Sequence, residues 1–194
     1  MTNQVKILAF AGSTSINSVN KKLVNIAIQG AISKGAQVTF LDLRDLPMPF
    51  YDDHLEPSQG LDNVLEFRAL MRAHNGLLIA SPEYNGSVTA VLKNAIDWAS
   101  RVELPNQPKA EGCFVNKVAS IMSAAHGGFG GERGLVHLRS ILVNVGVIVL
   151  PEQRLISRAH EAFDEQGNLK NERHQAETIE QGARLVDIAG KLYH

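Results

Sequence analysis

Two stretches of the chain gather the groups that could hold a ligand. Ser81-Pro82-Glu83-Tyr84-Asn85-Gly86-Ser87 follows the apolar run Gly76 to Ala80 and precedes an amphipathic segment. Pro82 fixes its own φ and pushes Ser81 toward an extended backbone, so a strand ends there and the chain turns outward. Gly86 lets the backbone pass close to a bound group, and Ser87 is placed to cap a helix beginning near Val88. The second stretch, Gly12 to Asn20, crowds Ser13, Ser15, Asn17, Ser18 and Asn20 around Thr14. One such side chain is enough to cap a helix. Several together, beside the unpaired N–H groups and partial positive charge of a helix N-terminus, favour binding of an anion such as phosphate over simple capping. Neither Gly-x-Gly-x-x-Gly nor Gly-x-x-x-x-Gly-Lys-Ser/Thr occurs here, which disfavours a dinucleotide fingerprint and a nucleotide-triphosphate loop.

A third loop, Ser123 to Gly131, carries His126 and the glycines 127, 128, 130 and 131, whose backbones could approach a flat ligand closely. His126 could donate to a ligand oxygen, although a solvated loop histidine is the simpler reading. His54, His74 and His137 fall in no metal-ligand spacing and are expected at the surface, and no metal site is expected. Asp164 to Asn168 lacks the ligand alternation of a calcium loop and is expected to be a surface turn. The chain has no Gly-x-Ser-x-Gly elbow, and its single cysteine, Cys113, has no recognisable catalytic partner. Asp97 and Trp98, near Lys93 and Asn94, are explained by helix-surface pairing or subunit packing. With no side-chain acid/base constellation, and no catalytic residue assigned, the sequence suits chemistry performed by a bound cofactor.

The elements that must position these turns are legible in the apolar pattern. Runs at Val5 to Ala11, Val38 to Leu43, Leu77 to Ala80, Val118 to Met122 and Val145 to Leu150 are continuous rather than alternating, as expected of parallel strands buried on both faces. Helically spaced apolar residues lie between and after them: Leu23 to Ile32, Leu61 to Met71, Val88 to Ala99, Leu135 to Val145 and Leu185 to Leu192. Segments 47–60, 105–116 and 151–171 show no regular pattern. Five strands alternating with five helices predict a doubly wound parallel sheet with helices on both faces. In the flavodoxin-like order 2-1-3-4-5 the topological switch falls between strands 1 and 3, and ligands bind outside the carboxyl ends there. The two polar turns follow those two strands. The length of 194 residues fits a single domain over 1–194. A net charge of -1 argues against nucleic acid and strongly charged partners. One cysteine, no signal segment and no apolar run near 20 residues predict a soluble, cytoplasmic protein that uses no membrane.

These residues resemble the NADPH-dependent FMN reductases of flavodoxin-like fold, a family that includes quinone, chromate and azo-dye reductases. Gly12, Ser13, Ser18, Asn20 and Leu23 match its first motif. Ser81 to Asn85 with Leu92 to Trp98 match its second, and Gly127, Gly130, Gly131, Arg133, Leu138 and Arg139 are similar to its third. The resemblance implies FMN, with its phosphate held by Ser13, Ser18 and Asn20 and by the first turn around Ser15 and Val19. It implies the ring edge lying on Pro82, Glu83, Tyr84 and Asn85 and near Ala125, His126 and Gly127. NADPH or NADH is then the co-substrate, and a small acceptor takes the electrons in a ping-pong cycle. A homodimer or homotetramer is implied as well. Ser15 stands where the family usually has Arg, and Thr89-Ala90 stands where Pro-Gly is usual. Loss of a charge-assisted contact of about 1.5–3 kcal/mol would weaken FMN binding roughly ten- to a hundredfold unless Lys21 or Lys22 compensates. Two other readings remain: an FMN-binding electron carrier without NAD(P)H activity, which near-neutral charge disfavours, and a ligand-binding protein that has lost its cofactor.

Overall fold

The computed structural model describes residues 4–52, 54, 61–100 and 110–193. Each apolar run becomes a strand: β1 (Lys6–Ala11), β2 (Gln37–Asp42), β3 (Gly76–Ala80), β4 (Val118–Ala124) and β5 (Ile148–Ile156). All pairings are parallel and the order is β2-β1-β3-β4-β5, as expected. The helices are α1 (Val19–Ser33), α2 (Asp62–Ala73), α3 (Ala90–Ser100), α4 (Glu132–Asn144), α5 (Ala159–Ala162) and α6 (Glu172–Leu192).

Alternate residues of the central strands feed two separate cores. Ile7, Ala9, Leu78, Ala80 and Met122 pack with Leu23 and Ala27 of α1 and with Leu185 and Ala189 of α6. Leu8, Phe10, Leu77, Ile79 and Ile121 pack on the other face with Phe67 of α2, Ile96 of α3 and Leu138 of α4. The continuous hydrophobicity of β1, β3 and β4 follows from covering both faces. Gly30 of α1 and Gly182 of α6 let those helices touch backbone to backbone. A Cβ built at Gly30 would lie 1.8 Å from Ile179 O, and one at Gly182 would lie 1.8 Å from Ala27 O. Because β1 leads into α1 on one face and β3 leads into α3 on the other, their carboxyl-end turns diverge and open a crevice.

Several expectations change in detail. β5 runs six residues beyond Leu150, into a segment expected to be irregular. Its register against β4 shifts between Ala119 and Ile121, where a bulge accommodates Pro151 on this edge strand. The one-turn helix α5 was not expected. Thr89, not Ser87, caps α3: its Oγ accepts the Leu92 N–H and its hydroxyl donates to Gly12 O at 2.7 Å. Trp98 is buried within the chain rather than held for a subunit contact, and its indole N–H donates to Pro49 O at 2.8 Å. Asp97 pairs with Lys93 on the helix surface, as expected.

His74 is buried, against the expectation of a surface group, while His54 and His137 are exposed. Its Nδ1 donates to Leu70 O and its Nε2 lies 2.8 Å from the Thr39 hydroxyl. The buried Lys117 ammonium donates to His74 O. Burial, then the Lys117 and Lys6 charges, hold the His74 pKa below its ordinary value. Cys113 is also buried, its Sγ 3.7 Å from Arg68 O. Residues 164–168 form a hydrogen-bonded surface turn in which Asp164 accepts the Asn168 N–H. The parts of the expected irregular segments at 53, 55–60 and 105–109 lie outside the described residues.

Candidate functional site

At the carboxyl end of the sheet, the turns after β1, β3 and β4 enclose a cavity of about 340 Å³. Ser13, Ser15, Ser18, Val19, Asn20, Pro82, Glu83, Tyr84, Ala125 and His126, all expected to bind a cofactor, line it. Asn17 and Ala124 line it too. Ala124 escaped the sequence reading because it is the last residue of an apolar strand and carries no polar side chain to mark it. Asn85 and Gly127 are not part of this lining. Asn85 faces a larger and more open cavity of about 590 Å³ on the far side of its turn, beside Val88, Lys93 and His137. That cavity has more room but lacks the hydroxyl cluster at a helix N-terminus, so the smaller one is the chemically specified site.

The β1 turn is built to present donors. Ser13 Oγ accepts the Ser15 N–H, and Ser18 Oγ caps α1 by accepting the Asn20 N–H, both at 3.2 Å. A hydroxyl oxygen that already accepts still has its O–H free to donate. Ser13 and Ser18 are nearly buried, so their hydroxyl oxygens are held in place. No acidic side chain occupies the first turn of α1, which leaves the positive end of its dipole uncompensated. This donor set fits a phosphate group.

Asn20 plays another part than expected. Its Nδ2 donates to Ala124 O at 2.8 Å, and its Oδ1 accepts the Ala124 N–H at 2.9 Å. One amide N–H and the amide oxygen clasp the end of β4, so Asn20 positions the wall of the cavity that it also lines. Neither neighbouring lysine supplies the missing charge. Lys21 is ion-paired with Asp42, and Lys22 lies over the Phe163 ring, 5.9 Å from its centroid.

The β3 turn is a tight hairpin. Tyr84 and Ser87 exchange two backbone hydrogen bonds, with Asn85 at φ 51° and Gly86 at φ 76° between them. Positive φ at both central positions is the two-residue Asn-Gly turn. Glu83 turns its carboxylate onto the start of α4, where Oε2 accepts the Gly134 N–H at 3.0 Å. Gly131, the residue before α4, offers no side-chain cap of its own. Glu83 therefore caps a helix from another loop. The β4 loop departs from expectation: Gly127 and Gly128 border open space, whereas Gly130 and Gly131 permit close packing on Ile156 and Ser123. His126 is exposed and stacks on His160.

Residues 5–161 match the family model described as NADPH-dependent FMN reductase. The chain is 38% identical over 189 residues to an NAD(P)H-dependent FMN reductase of Pseudomonas aeruginosa, covering 97% of this chain and 96% of that one. It is 36% identical over 174 residues to an NADPH:quinone oxidoreductase of Arabidopsis thaliana, covering 87% and 83%. Among solved structures, the flavoenzyme NAD(P)H:(acceptor) oxidoreductase of Paracoccus denitrificans superposes with a TM-score of 0.77 at 24% identity, covering 96% and 98%, a likeness of fold.

Proposed function

The chain belongs to the NADPH-dependent FMN reductase family, and on that premise we propose that residues 1–194 form one FMN-binding domain of an NAD(P)H oxidoreductase serving a small acceptor. The family is one of oxidoreductases that use FMN with NAD(P)H as co-substrate. The observation that carries the proposal is the pair of nearly buried hydroxyls, Ser13 and Ser18, held at the N-terminus of α1 with their protons free to donate.

When bound, FMN would supply the hydride and electron chemistry between NAD(P)H and a small acceptor such as a quinone, a flavin, an azo dye or a metal oxyanion, in a ping-pong cycle. The chain's own residues bind and orient. Ser13, Ser15 and Ser18 would hold the phosphate together with N–H groups of the β1 turn, including that of Val19. Pro82, Glu83 and Tyr84 would border the ring on one side and Ala125 and His126 on the other, with Asn85 and Gly127 outside that lining. Asn20 keeps the phosphate turn in register with the Ala125 wall through its clasp on Ala124. Pro82 and the paired Tyr84–Ser87 backbone make the ring-side turn stiff, so orientation is set before binding. No side chain needs to transfer a proton in the hydride step.

We further propose a cytoplasmic homodimer or homotetramer in which a neighbouring copy covers the flavin crevice. The test of function is a visible spectrum after incubation with FMN, followed by anaerobic NADPH. A bound-flavin spectrum that bleaches supports the enzyme. Bound flavin that does not bleach points to an electron carrier, and no bound flavin points to a protein that has lost its cofactor. Gel filtration at working concentration tests the assembly, a monomer excluding it.

A further inference from the structure

Beyond Ile156, the chain turns back along the loop that follows β4. The Arg158 N–H donates to Gly127 O at 3.3 Å and the Ala159 N–H donates to Ala125 O at 3.0 Å. The rings of His126 and His160 stack with centroids 5.7 Å apart. Ala125 and His126 line the proposed flavin cavity, so this seam joins that cavity to whatever lies across it. Across it is a second cavity of about 250 Å³, lined by Ser157, Arg158, Glu161, Lys170, Asn171 and His174 among others.

Arg158, Lys170 and His174 are three side chains able to carry positive charge, and they reach the cavity from three places: the turn after β5, the stretch before α6 and the first turn of α6. Basic side chains elsewhere are often neutralised, as Lys21 is by Asp42, Lys34 by Asp187 and Arg184 by Glu152. These three have no polar side-chain partner among the described residues. The one carboxylate in the lining, Glu161, faces His160 at 2.9 Å. Arg158 and Lys170, drawn together with a single carboxylate in the lining, repel one another, and a multiply charged anion relieves that repulsion. An arginine fork beside a lysine matches the oxygens of a phosphate monoester.

We propose that this cavity takes the 2′-phosphate of NADPH and gives the protein a preference for NADPH over NADH. The proposal rests on the reading that NAD(P)H is the hydride donor at the neighbouring site. A dinucleotide whose nicotinamide lies at the ring between Pro82–Tyr84 and Ala125–His126 must carry its adenosine end out over the rim. The Arg158 cavity is the cationic part of that rim reached by crossing the 125–127 loop.

The test uses FMN-loaded protein and two readouts. Calorimetry compares adenosine 2′,5′-bisphosphate, AMP and inorganic phosphate, and steady-state kinetics gives the ratio of kcat/KM for NADPH to that for NADH. Wild-type protein should bind the bisphosphate at least about tenfold more tightly than AMP. Arg158→Ala and Lys170→Ala should each close that gap and lower the kinetic ratio about ten- to a hundredfold, while Arg158→Lys keeps part of it. Equal affinity for bisphosphate and AMP overturns the proposal. So does inorganic phosphate that saturates the cavity without weakening bisphosphate binding, or variants that slow both donors alike. Bleaching by both donors without selectivity defeats this proposal alone, whereas a bound flavin that neither donor bleaches defeats the parent reading with it.

Discussion

Lys21 and Lys22 follow Asn20 directly, yet both are engaged away from the proposed phosphate turn, by Asp42 and by the Phe163 ring. The turn therefore relies on neutral donors and the α1 dipole. Ser15, exposed in the same turn, is where charge can be restored. Ser15→Arg should tighten FMN binding about tenfold or more, since a charge-assisted contact contributes about 1.5–3 kcal/mol. It should also make the affinity fall with added salt, where the wild type stays nearly flat. Fluorescence titration of FMN at two ionic strengths measures both, and an affinity that does not respond to the substitution refutes the role given to this position. Asn20→Ala would leave the buried N–H and C=O of Ala124 without their partner, at a cost of about 1–3 kcal/mol for each unsatisfied group. Urea unfolding should show that loss, together with weaker FMN binding as the wall loosens. The place of Ser13 and Ser18 in the candidate cavity was legible from side-chain type and position before a helix. Asn20 and Glu83 were legible as site residues but not in their roles, because their partners lie 104 and 51 residues away and no local pattern announces them.

Among the elements, α1 and α6 depend on one backbone-to-backbone approach. Gly30→Ala would force a methyl into the Ile179 carbonyl, and no rotamer can relieve it because the obstacle is main chain. A destabilisation of about 3 kcal/mol is expected, at the upper end for overpacking, and thermal unfolding of the variant reads it directly. Gly35→Ala serves as the contrast: its Cβ meets nothing within 4 Å, and only the positive φ of 80° opposes it. The helices and inner strands were legible because burial on one stripe or on both faces leaves a strong periodic mark. The outer half of β5 was not, since Pro151-Glu152-Gln153-Arg154 reads as loop and is half-exposed or exposed along an edge. Thr89 displaced Ser87 as the cap of α3 because the Asn85-Gly86 hairpin consumes the residues before it.

At the scale of the whole molecule, the carboxyl end of the sheet carries the proposed sites, and the amino end carries a buried polar knot. There His74 bridges the end of α2 to β2 and accepts the Lys117 ammonium at its carbonyl. Its folded-state pKa lies below the unfolded value, so the unfolded chain binds more protons in between. The associated stability is present above about pH 6.5 and is lost as pH falls through the depressed folded value. Denaturant midpoints at pH 8 and pH 5.5 should therefore separate further for the wild type than for His74→Gln, and equal separation would refute the assignment. Topology was legible as a whole because continuous strands, intervening helices and two polar turns all pointed to one strand order, whereas the knot lacked any sequence mark beyond an unremarkable histidine. The Asn20–Ala124 clasp also bears on how the molecule is made. A chain emerging from the ribosome can form β1, α1 and even β3 while its first turn still lacks the residue that completes the wall. The proposed cradle is complete only when β4 docks, more than a hundred residues later, so flavin capture is expected to follow synthesis of β4.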